Sequence, residues 1–339
     1  MTLMHETQPP RVSVAIPLYE EEEGLPELLR RLSAVVDGLP GEGHEMVFVD
    51  DGSGDRTPEL LRSAAVADPR ITVVSLSRNF GHQAALSAAL EFVEGDVVVL
   101  MDGDLQDAPE AIPAMLERVR DGYDVVYAKR DRRKEPWWLR LSYFTYYRLL
   151  STVSNVDLPV DAGDFAAFTR PVLNAILSAP ERHRYLRGLR AWAGFRQTGI
   201  PVERDARHHG RSKYGLRKLL RLASDGIFSF SIVPIRVAAA LGGLSILATS
   251  LFALYALWAK IFLDRSPQGF TAQILVITFV SGVNLLFLGI IGEYVGRVYE
   301  ETKARPLYVV RRVQRGGDEA AQAPKSTGIE SVVRSSTNG

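Results

Sequence analysis

Two stretches near the carboxyl-terminal end constrain this chain more than any other feature. They are "VAAALGGLSILATSLFALYALWA" (237–259) and "FTAQILVITFVSGVNLLFLGIIG" (270–292). Neither carries a charge, and each is long enough as a helix to cross a hydrocarbon core of about 30 Å. A core helix of a water-soluble protein would keep a polar face over such a length. The short connection "KIFLDRSPQG" makes the pair an antiparallel hairpin. Its outer flanks carry Arg217, Lys218, Arg221 and Arg236 on one side and Arg297, Lys303, Arg305, Arg311 and Arg312 on the other, against Lys260 and Arg265 in the connection. Lys and Arg accumulate on the cytoplasmic side of membrane helices. Both termini and the whole amino-terminal half are therefore expected in the cytoplasm, on a plasma (inner) membrane crossed twice. The opening "MTLMHETQPPRVS" has no apolar run of the kind a signal peptide needs.

The first half has a different rhythm. "RVSVAIPLY", "EMVFVDDGS", "ITVVSLSRN", "DVVVLMDGD" and "DVVYAKR" are short β-branched runs, with helical patterns over 24–37, 57–67, 82–94 and 109–121 between them. Continuous apolar strands alternating with helices predict an α/β fold with a mostly parallel sheet covered on both faces. Ligands of such sheets sit beyond the carboxyl ends of the strands. The polar tips Glu20/Glu21, Asp50/Asp51, Arg78/Asn79, Asp102/Asp104 and Arg130 are therefore expected on one rim.

Several chemistries can be set aside. No cysteine is present, which excludes disulfides and thiolate metal sites. Lys+Arg and Asp+Glu balance at 40 each, so net charge names no partner, and no nucleic acid is expected. "PLYEEEEGL" after the first strand lacks the glycine fingerprint of a dinucleotide site, and no Walker lysine motif occurs. Acids at strand ends suit a nucleotide whose phosphates arrive with Mg²⁺ or Mn²⁺, both of which prefer oxygen ligands. Asp102-Gly-Asp104 spaces two carboxylates so that both can address one ion. The same pattern also occurs in turns, and Asp107 before Ala108-Pro109 reads as a helix cap. His82 leaves capping and nucleotide contact both open. His208-His209 has no nearby acid to complete a metal site. "RYLRGL" reads as a structural helix with Leu186 and Leu189 in the core.

"PLYEEEEGL", "VDDGSGDRT", "SRNFGHQAAL", "MDGDLQDAP", "DAGDFAAFTR", "RYLRGL" and "RHHGRSKYG" follow one another in the order found in family 2 glycosyltransferases of the polyprenyl-phosphate type. Over residues 11–312 the chain resembles bactoprenol glucosyltransferases and dolichol-phosphate mannosyltransferases. The resemblance implies a GT-A fold, Rossmann-like, followed by a two-helix transmembrane hairpin. It implies inverting transfer of a monosaccharide from a nucleotide sugar, UDP-glucose first, to undecaprenyl or a related polyprenyl phosphate. It further implies a homo-oligomer, a tetramer. Residue by residue, it assigns Pro17, Tyr19, Glu21, Asp51, Arg78 and Asp102 to the nucleotide sugar. The metal falls to Asp102, Asp104 and Gln106, and the reaction centre to Asp164 with Asp104. Arg130 and Arg133 become acceptor-phosphate ligands, and Arg207, Ser212 and Lys213 form a basic loop near the diphosphate. The family's Tyr-Asn-Glu is Tyr19-Glu20-Glu21 here, which leaves Glu20 without an assigned role.

The residues support that reading independently. A phosphate monoester is largely dianionic at cytoplasmic pH and is already a nucleophile. The harder task is to bring two anions together, which Arg forks on the acceptor and a metal on the donor would do. The basic run 130–134 is either such a site or a solvated stretch. The following "PWWLRLSYFTYYRLL" reads as an interfacial helix or a core-facing one, as does "YGLRKLLRLASDGIFSF". The expected domains are a cytoplasmic catalytic domain over 1–230, membrane helices within 231–300, and a cytoplasmic tail over 301–339 whose end is disordered. A processive polysaccharide synthase would need a longer membrane channel and a Gln-x-x-Arg-Trp motif that is absent. A non-catalytic scaffold would not need Asp102, Asp104 and Asp164.

Overall fold

The computed structural model describes residues 9–130, 162–179, 181, 184–202, 233–263 and 269–317. They form two compact units. One holds the residues before 203 together with 306–317; the other holds the two long apolar helices.

The first unit is built on one eight-stranded sheet. Its strands are β1 (Val12–Leu18), β2 (Glu45–Asp50), β3 (Ile71–Leu76), β4 (Val97–Leu100), β5 (Val125–Arg130), β6 (Ala162–Thr169), β7 (Gln197–Val202) and β8 (Val310–Arg315), in spatial order β7-β5-β6-β4-β1-β2-β3-β8. The five expected strands are β1 to β5. The pairings β1–β2, β1–β4, β2–β3 and β5–β7 are parallel, while β6 and β8 run against their neighbours. The sheet is thus mostly parallel, and it carries three strands the sequence pattern did not mark.

Helices cover both faces. Helix α1 (Leu25–Asp37) buries Leu25, Leu28, Leu32 and Val36, a three-four-four spacing that makes one stripe. Each fully buried leucine there contributes about 1.5–3 kcal/mol of transfer free energy. With α2 (Thr57–Ala67) and α4 (Ile112–Arg120), α1 packs on the face bearing Val12, Val14, Ile16, Met46, Phe48, Val97 and Val99. Helix α3 (His82–Glu91) covers the opposite face, bearing Ala15, Val47, Val49, Val98 and Leu100, together with α5 (Arg170–Ser178) and α6 (Leu186–Trp192). Four alanines of α3 (84, 85, 88 and 89) are buried, because a short side chain lets this helix lie close to the strands.

Pro17 stands in a central strand, where a missing N–H would normally be harmful. Ala15 accepts from Met101 N–H on the β4 side and Leu18 from Asp51 N–H on the β2 side. By alternation, the absent N–H of Pro17 faces β4, whose pairing with β1 has ended at Leu100. Pro17 thereby frees residues 102–104 to leave the sheet as a loop. Gly103 suits that exit, since a Cβ there would push the Leu18 side chain out of place.

The second unit is a helical pair, α7 (Val233–Leu263) and α8 (Phe270–Thr302), of 31 and 33 residues. At 1.5 Å per residue each is about 46–50 Å long. The apolar segments 237–259 and 270–292 lie wholly within them. Leu244, Ile246, Phe262, Phe279 and Leu285 are at least 61 % exposed. Both helices are long and apolar enough to cross a membrane. After α8 the chain supplies β8, so part of the segment expected as a tail is an edge strand of the sheet.

Candidate functional site

The rim forms where β1 to β5 end and β6 begins. Leu100 of β4 lies opposite Ala166 of β6. Continuing that antiparallel register two residues outward sets Asp102 against Asp164. The two carboxylates and the His82 imidazole bring three ligand atoms within 4.8 Å of one another. His82 Nε2 is 3.5 Å from Asp102 Oδ1 and 3.9 Å from Asp164 Oδ2.

His82 is held there by the β3–α3 loop. Asp51, 3 % exposed, accepts from Phe80 N–H at 2.8 Å through Oδ1 and from Gly81 N–H at 2.9 Å through Oδ2. Gly81 has φ 98°, a conformation that suits glycine and turns the chain into α3. Gly52 (φ 72°) is pressed against the same loop: a Cβ on it would meet the Arg78 carbonyl carbon at 2.5 Å. From α6, Arg187 Nε approaches Asp164 Oδ1 to 2.8 Å, an ion pair without good hydrogen-bond alignment. Arg190, one turn later and 4 % exposed, donates to Gly163 O at 3.2 Å.

The charges are unequal in effect. Burial pushes the Asp102 carboxyl up to about 6, with Asp164, Asp107 and Asp104 adding to the rise and His82 opposing it. Burial acts on Asp164 in the same sense, but the His82 hydrogen bond and the Arg187 and Arg190 charges outweigh it. Asp164 is held below the ordinary carboxylate range. For His82, desolvation lowers the pKa, yet the Asp164 hydrogen bond and the Asp102 charge reverse the balance and raise it. Arg187 and Arg190 act on Asp164, whereas His82 lies within 4 Å of both acids. A small cavity of about 30 Å³ lined by Asp102, Asp107, Lys129, Gly163 and Asp164 adjoins them.

The other sequence-predicted residues are placed as follows. Pro17 is buried in β1, whereas Tyr19 is 43 % exposed at the rim, where a hydrogen bond to Glu20 raises its phenol pKa. Glu20 has φ 53°, and its N–H donates to Ser53 Oγ; Glu21 N–H donates to Thr57 Oγ1. Arg78 stacks on Phe80 at 4.1 Å and donates to Asn79 O. Asp104 Oδ1 accepts from Gln106 N–H at 3.1 Å, so Asp104 and Gln106 close a loop turn beside the His82–Asp102–Asp164 group. Leu105 between them takes φ 57° and buries its side chain in the core, which pins that loop. Asp107 does not cap the 3₁₀ turn Pro109–Ala111 that precedes α4, because Ala108 occupies the cap position; Asp107 lines the cavity instead. Arg130 ends β5, and Arg133, Arg207, Ser212, Lys213, His208 and His209 lie outside the described residues.

The sequence reading left His82 open between capping and nucleotide contact and passed over Arg187 and Arg190. The signal available was the spacing of Arg187 and Arg190 on one side of a helix whose Leu186 and Leu189 are core residues.

Asp102 Oδ1 is a buried oxygen with no hydrogen-bond donor. An imidazole nitrogen and two carboxylates make a donor set that a divalent ion accepts. The residues present thus fit a divalent ion, which Asp102 and Asp164 would hold together with His82 in its neutral form.

Residues 13–177 match the model of glycosyl transferase family 2. The chain is 41 % identical over 301 residues to the glycosyltransferase YkcC of Bacillus subtilis, covering 88 % of this chain and 93 % of that one. It is 35 % identical to the bactoprenol glucosyl transferase of Shigella phage SfX, covering 89 % and 99 %. It is 38 % identical to the undecaprenyl-phosphate 4-deoxy-4-formamido-L-arabinose transferase of Pseudomonas paraeruginosa, covering 91 % and 92 %.

Proposed function

The chain belongs to glycosyl transferase family 2 and is a glycosyltransferase of GT-A fold; from that premise we propose that it transfers a monosaccharide from a nucleotide diphosphate sugar to a polyprenyl phosphate at the membrane. The observation that carries this reading is the partly buried Asp102–Asp164 pair at the carboxyl edge of the sheet, in a chain that also carries two membrane-length helices. Relatives named for transfer to bactoprenol and undecaprenyl phosphate support the acceptor class. UDP-glucose is the favoured donor.

The reaction is a single displacement with inversion. An acceptor phosphate oxygen attacks the anomeric carbon as the bond from that carbon to the donor diphosphate breaks, and the nucleoside diphosphate leaves. The acceptor is already anionic, so no proton need be removed from it. Bound Mg²⁺ or Mn²⁺ would supply neutralisation of diphosphate charge. Asp102, Asp164 and His82 would hold it, with Asp104 and Gln106 shaping the adjoining turn. Arg187 keeps Asp164 ionised and oriented. Tyr19, Glu21 and Arg78 border the nucleotide, and Arg130 and Arg133 receive the acceptor phosphate. Arg207, Ser212 and Lys213 complete the diphosphate side. The catalytic unit and both termini face the cytoplasm, where sugar nucleotides are found.

The test incubates purified full-length protein with undecaprenyl phosphate and a panel of sugar nucleotides, then weighs the lipid product. One lipid-linked monosaccharide with inverted anomeric configuration is expected. Absence of any glycosylated lipid across the panel, from protein that binds a nucleotide, would reject the acceptor.

A further inference from the structure

Asp164 faces another carboxylate across a gap of a few ångströms, and something must hold it against that repulsion. Arg187 reaches it from the rim at 2.8 Å. Behind it, out of reach of solvent, lies Arg190. Its guanidinium donates to Gly163 O at 3.2 Å, the carbonyl of the peptide that leads directly into Asp164. It also lies 5.7 Å from the centre of the Tyr127 ring on the neighbouring strand β5. The Tyr127 ring takes the space left by Gly199 opposite it on β7, where a Cβ would meet the ring at 2.7 Å. A glycine, an aromatic ring and a buried cation are therefore stacked behind one carboxylate.

A guanidinium withdrawn from water is unfavourable unless charge and hydrogen bonds compensate it. Burial lowers the Arg190 pKa to about 10, and Asp164 is the first of the groups that oppose the fall. Leu186 and Leu189 of the same helix are core residues, so an apolar side chain would pack at this position without strain. Packing alone gives no reason for a cation here.

We propose that Arg190 is a positioning residue. It fixes the Gly163–Asp164 peptide and aims the Asp164 carboxylate at Asp102 without touching substrate. The inference rests on the proposed transferase reading for its activity arm only.

The test compares Arg190→Met and Arg190→Lys with the wild-type protein. Methionine keeps the length and apolar stem but leaves Gly163 O without its donor, and removing one partner of a buried charge group lowers stability. Assayed well below its own melting temperature, Arg190→Met should lose kcat about 10- to 100-fold, the range typical of lost supporting contacts. The KM for the sugar nucleotide should stay within about twofold, and Arg190→Lys, which keeps a donor and the charge, should recover part of kcat. An unchanged kcat in Arg190→Met would overturn the assignment. So would a loss that merely tracks a lower melting temperature and that lysine fails to relieve. A structure of the Arg190→Met protein decides the matter independently of turnover. Asp164 turned away from Asp102 supports the proposal, and an unmoved Asp164 rejects it, even if the wild-type protein transfers no sugar to lipid phosphate and the transferase reading itself fails.

Discussion

Asp51→Asn isolates the clamp that sets the position of His82. The native carboxylate accepts two backbone N–H groups, from Phe80 at 2.8 Å and Gly81 at 2.9 Å, and it is 3 % exposed. Asparagine offers one acceptor oxygen, so the second N–H must face an amide that is itself a donor. Leaving a buried donor unsatisfied costs about 1–3 kcal/mol. In a unit of this size that corresponds to a melting temperature lower by about 2–10 °C. Burial raises the Asp51 pKa, with the two amide hydrogen bonds opposing the rise. The sign follows from linkage. A folded-state pKa above the unfolded one means a contribution present below the unfolded pKa and lost as pH rises through the folded pKa. Asparagine does not titrate, so the gap between wild type and variant should narrow as pH is raised from about 4 to neutrality. Thermal unfolding at several pH values in detergent, with hydrogen exchange of the Phe80 and Gly81 amides read by mass spectrometry, measures both effects. Equal melting temperatures, or unchanged protection of those two amides, would show that Asp51 does not hold the loop and that its carboxylate is available for another task.

Four further outcomes are expected. Asp102→Asn should abolish transfer in a protein that still folds, and EDTA should do so reversibly; full activity in EDTA rejects the metal. Arg133→Ala should raise the apparent KM for lipid phosphate far more than that for the sugar nucleotide, and Arg133→Lys should keep part of the defect because it loses the planar fork; loss of nucleotide binding by calorimetry would move Arg133 to the donor side. A cysteine at Ser266 should react with an impermeant thiol reagent in intact cells while one at Ser53 stays unlabelled, and the reverse pattern would invert the orientation. Gly52→Ala, which forces a Cβ against the Arg78 backbone at φ 72°, should destabilise by at least about 1 kcal/mol; an unaltered melting curve would mean the two loops separate without penalty.

How much of this was legible beforehand differs from element to element. The strands β1 to β5 announced themselves through uninterrupted β-branched runs, and their polar tips through acids where a buried strand should not carry them. Asp102 and Asp164 could each be picked out, but not that they face one another. That depends on β6 running antiparallel between β4 and β5, a long-range pairing that leaves no local periodicity. His82 stayed ambiguous because its position is set by Asp51 from another strand and by a glycine whose φ no sequence displays. Arg190 was hidden for a different reason: a buried cation in a leucine-rich helix looks like a surface residue until the strand behind it is known. β8 was counted with the tail, its Arg311 and Arg312 serving as flank charges of the hairpin, yet charge suits an edge strand that has only one neighbour.

That edge strand changes what the hairpin is. Because β8 pairs with β3 in the same sheet from which the chain departed, α7 and α8 form an insertion within a folded domain and not an appendage to it. A fragment cut before Val233 would lose more than its two membrane-length helices. It would leave the outer edge of β3 bare, and the partly buried Tyr308 would no longer pack on the face of the sheet that α3 covers. A soluble enzyme is better sought by excision, with 233–305 replaced by a short flexible linker that returns β8 to its place.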